Sequence, residues 1–281
     1  MITAIDIINE FRKPQLYAVG IGILNVVADS IITGSDSVAA RCQIDGIEGD
    51  FLLKCFYKEV DISKYNNNIT ISSIDISTIS GEHYRAQCII RKWQRGTPLD
   101  IALSSGNCNC NYKTLSHAFD TMALERLLSG VPHGDISPDN IVLNEGVMTL
   151  VDDEIMWYNN ENRVRSRNYG KQPFSHPFRA MLHPSSDVDD YSIAIISTLL
   201  AAISSYAKMN EEIPLILLDD LTVENSYRAL DIAKRRLLKV GDKAHYDIAS
   251  HINHISYNIP NLKELIIQAL ATEDSVAEVK C

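Results

Sequence analysis

The sequence predicts an α+β chain: a small antiparallel β half followed by a larger helical half. Three observations carry this. From about residue 16 to 95 the chain is made of short β-branched or alternating runs. Turn-formers separate those runs at Gly34-Ser35-Asp36, Asp45-Gly46, Gly49-Asp50 and Ser80-Gly81-Glu82. After Gly96 the apolar residues recur at helical spacing instead. A connector at residues 92–96 joins the halves, giving expected domains 1–96 and 97–281. Ligand clefts often lie between such halves.

The first element, residues 3–12 (TAIDIINEFR), reads as an amphipathic helix ended by Pro14. The strand runs are 29–33 (DSIIT), 37–44 (SVAARCQI), 50–57 (DFLLKCFY), 69–78 (ITISSIDIST) and 83–93 (HYRAQCIIRKW). Thr97-Pro98 opens a helix over 97–106, because Pro suits the first helical turn. Residues 112–130 place Leu115, Phe119, Met122, Ala123, Leu127 and Leu128 at helical spacing, and Gly130 closes the helix. Ile141–Leu143 and Met148–Val151 flank Asn144-Glu145-Gly146 and read as a hairpin. Further helices are expected at 189–207, 222–239 and 260–271.

Bulk properties exclude several classes. The 281 residues carry a formal net charge of -10, which does not suit nucleic-acid phosphates or an anionic membrane as main partners. Met1 to Glu10 has acidic residues and no basic start, so it does not read as a secretory signal. The apolar run Tyr191 to Ala207 contains four serines and follows three aspartates, so a buried helix is expected there, with a membrane span as the alternative. The six cysteines form no CxxC pair and are expected as free thiols in a reducing cytoplasm.

The chemistry concentrates in residues 133–154. The segment His133-Gly134-Asp135-Ile136-Ser137-Pro138-Asp139-Asn140 is followed, twelve residues beyond Asn140, by Asp152 in Leu150-Val151-Asp152-Asp153-Glu154. Phosphoryl transfer from ATP needs carboxylate and amide oxygens on magnesium, and a carboxylate beside the incoming hydroxyl. A loop offering Asp135 and Asn140, with a hairpin that brings Asp152 back to it, supplies those groups. The bland alternative is a loop whose Asp and Asn only make turns.

HGDISPDN resembles the catalytic loop of the protein-kinase-like superfamily, H-[RG]-D-x-x-x-x-N, and LVDDE resembles the strand and Asp of D-F-G. The resemblance implies a two-lobe kinase-like fold, with ATP and Mg2+ as cofactors. It implies Asp135 as the catalytic base, Asn140 and Asp152 as magnesium ligands, and His133 as an internal brace. Lys54, in Phe51-Leu52-Leu53-Lys54, matches the phosphate-binding lysine. Trp93-Gln94-Arg95-Gly96-Thr97-Pro98-Leu99 is similar to the hinge, which makes Gln94 a nucleotide-side residue. Asp189-Asp190-Tyr191-Ser192 is similar to the start of the central helix, where Asp189 would hold the catalytic-loop backbone.

The departures are as clear. The glycine-rich loop is reduced to Gly34 in Gly-Ser-Asp-Ser-Val-Ala, and Asp36 there would repel phosphate. No glutamate stands where the helix after Lys54 should supply one; Asp61 is a poor substitute. Ser137 replaces the lysine of K-P-x-N, and no A-P-E follows. Arg163, Arg165 and Arg167 form a basic patch that suits an acidic or phosphorylated segment, or simply solvent. Two functions follow. One is an active phosphotransferase acting on a protein hydroxyl or a small molecule. The other is a pseudokinase that binds nucleotide or a partner with little turnover.

Overall fold

A computed structural model describes residues 2–34, 36–58, 70–104, 111–152, 170–179, 181, 185–222, 228–253 and 255–278. Asp61, Asp153, Glu154 and the three arginines at 163, 165 and 167 lie outside them. The chain is mixed α+β with antiparallel sheets, and it divides into two compact units, Met1–Gln94 and Arg95–Cys281.

The first unit opens with α1 (Ala4–Phe11), started by a capping box. The Asp6 N–H donates to Thr3 Oγ1 at 3.3 Å, and the Thr3 N–H donates to Asp6 Oδ2 at 2.9 Å. Seven antiparallel strands follow: β1 (Leu16–Ala18), β2 (Gly22–Val26), β3 (Ile32–Thr33), β4 (Ser37–Ile44), β5 (Ile47–Phe56), β6 (Thr70–Ser77) and β7 (His83–Lys92). Their order is β2-β1-β6-β7-β5-β4-β3, and β2 also pairs with β4 through Leu24↔Ile44 and Val26↔Cys42. That last pairing closes six of the strands into a barrel.

The sequence calls for an antiparallel sheet; closure is the difference. β1 and β2 are only 3 and 5 residues long, too short to print an alternation. The 29–33 run is mostly a 3-10 turn, Ala28–Ser30, with a two-residue strand behind it. Inside the barrel stand Leu24, Val38, Leu53, Ile74, Ile76 and Ile90 with Cys42, Cys55 and Cys88, all buried. α1 contacts β4 and β6, which are not neighbours, so it covers a mouth of the barrel and adds Ile7 and Phe11 to the core. Its acids complete the join: Glu10 Oε2 accepts from the Ser77 N–H and Asp6 Oδ1 from the Ile79 N–H. Those bonds and the ones from Thr3 hold the Asp6 carboxyl below its usual range, the Thr3 side chain contributing most.

The second unit begins at Arg95. Gly96 has φ +134°, and a Cβ there would meet the Leu143 carbonyl oxygen at 2.5 Å and Val142 Cγ1 at 2.6 Å. This close approach lets β8 (Thr97–Pro98) pair with β9 (Ile141–Asn144), which pairs with β10 (Val147–Leu150). The hairpin turn is two residues, Glu145 (φ 49°) and Gly146 (φ 84°), both left-handed as such tight turns require.

The helices are α2 (Leu99–Ser104), α3 (Leu115–Ser129), α4 (Asp190–Lys208), α5 (Leu215–Thr222), α6 (Arg228–Val240), α7 (Lys243–His251) and α8 (Leu262–Glu278). α5 and α7 are absent from the sequence reading, and the helix expected at 222–239 is α6 from Arg228 on, residues 223–227 lying outside the described residues. α4 is the one helix among the described residues long and apolar enough to cross a membrane. Asp190 through Ser204 are all buried, packed by α3, α5, α6 and α7, so its apolarity serves the core of this unit.

Candidate active site

The loop between α3 and β9 carries the motif residues, and six hydrogen bonds fix its shape. Gly130, at φ 66°, ends α3 and releases the chain into the loop. At the start of α4, the buried Asp189 carboxylate accepts two main-chain bonds. The His133 N–H donates to Oδ2 and the Gly134 N–H to Oδ1, the latter at 2.7 Å. This is the contact the resemblance implies for Asp189. A buried loop cannot leave its N–H groups unpaired, and one carboxylate satisfies two of them.

His133 then bridges two segments. Its Nδ1 accepts from the Asp135 N–H at 3.2 Å, so the proton resides on Nε2, which donates to the Val151 carbonyl at 2.9 Å. Burial pushes its pKa below the usual value and keeps the ring neutral. The imidazole therefore ties the loop to the residue before Asp152. Asn140 makes a third tie: its Nδ2 donates to the Asp135 carbonyl at 2.9 Å, while its own carbonyl accepts from the Val151 N–H at 2.8 Å. Asp152 follows at φ 67°, a left-handed conformation that costs a residue with a Cβ roughly 1 kcal/mol or more. Residues held this way cluster at functional sites.

These ties leave particular oxygens over. Asn140 spends its amide N–H on Asp135, and among the described residues nothing donates to its Oδ1. Asp135 Oδ1 accepts from the Lys171 N–H at 2.7 Å, and no donor among them reaches Oδ2. No group of three or more His, Cys, Asp or Glu among the described residues forms a metal-ligand set. The Asn140–Asp152 pair is a different donor set. One amide oxygen and one carboxylate are hard donors, and magnesium accepts such a pair when phosphate oxygens fill the rest of its shell.

No protein-family model and no curated protein matches this chain. The geometry therefore carries the functional argument.

Three candidates lie in the first unit. Lys54 is on β5 between Ala39 and Ile89 in register. Leu53 and Cys55 face the barrel interior, so Lys54 is on the outer face, partly buried, beside the buried Phe56 and Ile89. Gln94 is exposed at the end of this unit, just past Trp93, whose N–H donates to the Asp50 carbonyl at 2.9 Å. Gly34 has a turn role. Its N–H donates to the Ser37 carbonyl at 2.8 Å and its carbonyl accepts from the Tyr57 hydroxyl at 2.8 Å. A Cβ there would meet only Ser37 oxygens at 3.5 Å, an ordinary contact. With its amide spent and no need for glycine, Gly34 lacks the features of a phosphate cradle.

Sequence reasoning missed Gly170, Lys171 and Arg179. Arg179 is buried, and burial depresses its pKa while Asp189 and Asp135 pull it back up. Its guanidinium thus compensates Asp135 of the loop and Asp189 at the start of α4. No motif marked these residues: Gly170 and Lys171 act by main chain, and the Arg179 charge meets its carboxylates only in the fold.

Proposed function

We propose that the chain is an ATP- and Mg2+-dependent phosphotransferase of the protein-kinase-like superfamily, with its two-lobe fold. The acceptor is a protein hydroxyl or a small molecule. The observation that carries this reading is the Asp189 carboxylate taking both N–H groups of His133 and Gly134. A loop that only turned the chain would need no such buried anchor. This anchor holds Asp135, Asn140 and, through His133 and Val151, the Asp152 segment as one body.

In this reading Asn140 Oδ1 and the Asp152 carboxylate hold magnesium. The metal, when bound, neutralises charge on the phosphate oxygens. Asp135 turns Oδ2 toward the acceptor hydroxyl and takes its proton. Lys54 supplies an ammonium for the α- and β-phosphates, and Gln94 is assigned to the nucleotide base. Neutral His133 keeps the loop braced without adding a second cation. The acidic chain and its free thiols suit a cytoplasmic protein without nucleic-acid or membrane partners.

The second reading, a pseudokinase, is favoured by one observation: the only glycine of the expected phosphate loop spends its N–H on a turn. Transfer from Mg-ATP, with nucleotide binding followed by thermal shift, separates the two. Turnover by the wild type that Asp152→Asn abolishes supports the enzyme. Equal zeros with ATP binding retained support the pseudokinase, and absence of ATP binding sinks both. If the chain is active, Lys54→Ala lowers the rate by about 100-fold or more; an unchanged rate removes Lys54 from the site.

A further inference from the structure

We infer that residues 170–175 form an acceptor-side positioning element, acting on Asp135 through the main-chain N–H of Lys171. The inference rests on the reading of Asp135 as the group that takes the acceptor's proton. A carboxylate turns easily about its last bond, so an unrestrained Asp135 would present either oxygen in many orientations. The Lys171 N–H, at 2.7 Å from Oδ1, removes that freedom and dedicates Oδ2 to the acceptor.

The element is built to hold that N–H in place. Gly170 sits at φ +70°, and a Cβ there would meet Arg179 Nη1 at 2.5 Å, Ser175 Cβ at 3.0 Å and the Gly134 carbonyl oxygen at 3.2 Å. Only glycine lets the segment lie against the catalytic loop at this point. Beyond Lys171 the chain is tied to itself: the Ser175 N–H donates to the Lys171 carbonyl at 3.0 Å, and Gln172 Nε2 to Ser175 Oγ at 2.7 Å. It is then tied to the core. Phe174 is buried beside α4, and the Ser192 hydroxyl donates to its carbonyl at 2.9 Å. α4 thus holds Oδ1 of Asp135 through Ser192 and Lys171, leaving Oδ2 for the acceptor, and holds the loop's His133 and Gly134 through Asp189. The Lys171 ammonium also pairs with Asp139 at 3.0 Å, but both side chains are well exposed and such a pair contributes little. The main chain, not the lysine charge, does the positioning.

Two measurements test this. In the full chain, amide exchange at Lys171 speeds up about tenfold or more when Asp135→Ala removes the acceptor; unchanged exchange overturns the proposal. Gly170→Ala lowers kcat for transfer about 100-fold with KM for Mg-ATP within about twofold, because the nucleotide-side groups are untouched. A normal kcat in Gly170→Ala sinks this inference alone. Absence of any transfer by the wild type sinks the reading of Asp135 and this inference with it. If Gly170→Ala fails to fold, the exchange measurement on the wild type and Asp135→Ala decides.

Discussion

The barrel unit and the helical unit bury their cores by opposite means. In the barrel, ladder bonds satisfy the backbone on every side, because closure leaves few free strand edges. Its interior can therefore be apolar, mostly aliphatic and thiol side chains, and burial pushes the Cys42 and Cys88 thiols up to about 12. The helical unit has loops and helix ends to satisfy, and its core holds charges. Asp189 takes two loop N–H groups, and Asp190 takes the Ile259 N–H at 3.2 Å with its pKa raised by burial to about 7. His245 is sandwiched between Asp120 and Asp242, each at 2.8 Å. The difference teaches where rigidity comes from. A barrel is rigid by its ladder; a loop is rigid only where buried polar groups pin it.

Variants at four positions probe that contrast, in descending order of expected effect. His245→Ala leaves Asp120 buried with only the Ser116 and Ser197 hydroxyls and no charged partner, and costs roughly 3–5 kcal/mol in chemical unfolding. A loss below about 1 kcal/mol would mean that the network is not a keystone of the helical unit. The wild type carries a pH signature there. The folded pKa of His245 is raised from 6.5 to about 10, because the pull of Asp120 and Asp242 outweighs the opposing burial. Its contribution is thus complete below pH 6.5 and fades as pH rises toward about 10. His245→Gln should flatten that part of the stability profile.

Gly96→Ala forces a Cβ onto the Leu143 carbonyl at a left-handed φ and costs roughly 2–3 kcal/mol, read from the melting transition. Cys42→Ser places a hydroxyl in the apolar barrel and costs about 1 kcal/mol in denaturant midpoint. A larger loss than that of His245→Ala would reverse the contrast between the units. Gly34→Ala changes stability and ATP affinity by less than about 0.5 kcal/mol, because the added methyl meets ordinary contacts. A marked drop in ATP affinity would restore Gly34 to the phosphate site.

Residue by residue, the sequence was legible wherever a pattern is local. Alternation marked β4, β5, β6 and β7 to within a few residues, and Asn144-Glu145-Gly146 marked the β9–β10 turn. Helical spacing marked α3, and a continuous apolar run marked α4. The loop residues Asp135, Asn140 and Asp152 stood out because chemistry fixes their types and their spacing. α5 and α7 escaped notice, since an 8-residue and a 9-residue helix are held by packing rather than by propensity.

By itself, then, the sequence determined the β-then-helical order of the two halves, the longer strands and helices, the tight turns and the identity of the loop's acid and amide groups. These depend on neighbours a few residues apart. Tertiary structure alone decided the β2–β4 pairing that closes the barrel and the hold of Lys171 on Asp135. Each is a main-chain contact between segments remote in sequence. Main-chain N–H and C=O groups are alike at every residue, so no side-chain pattern records which ones meet.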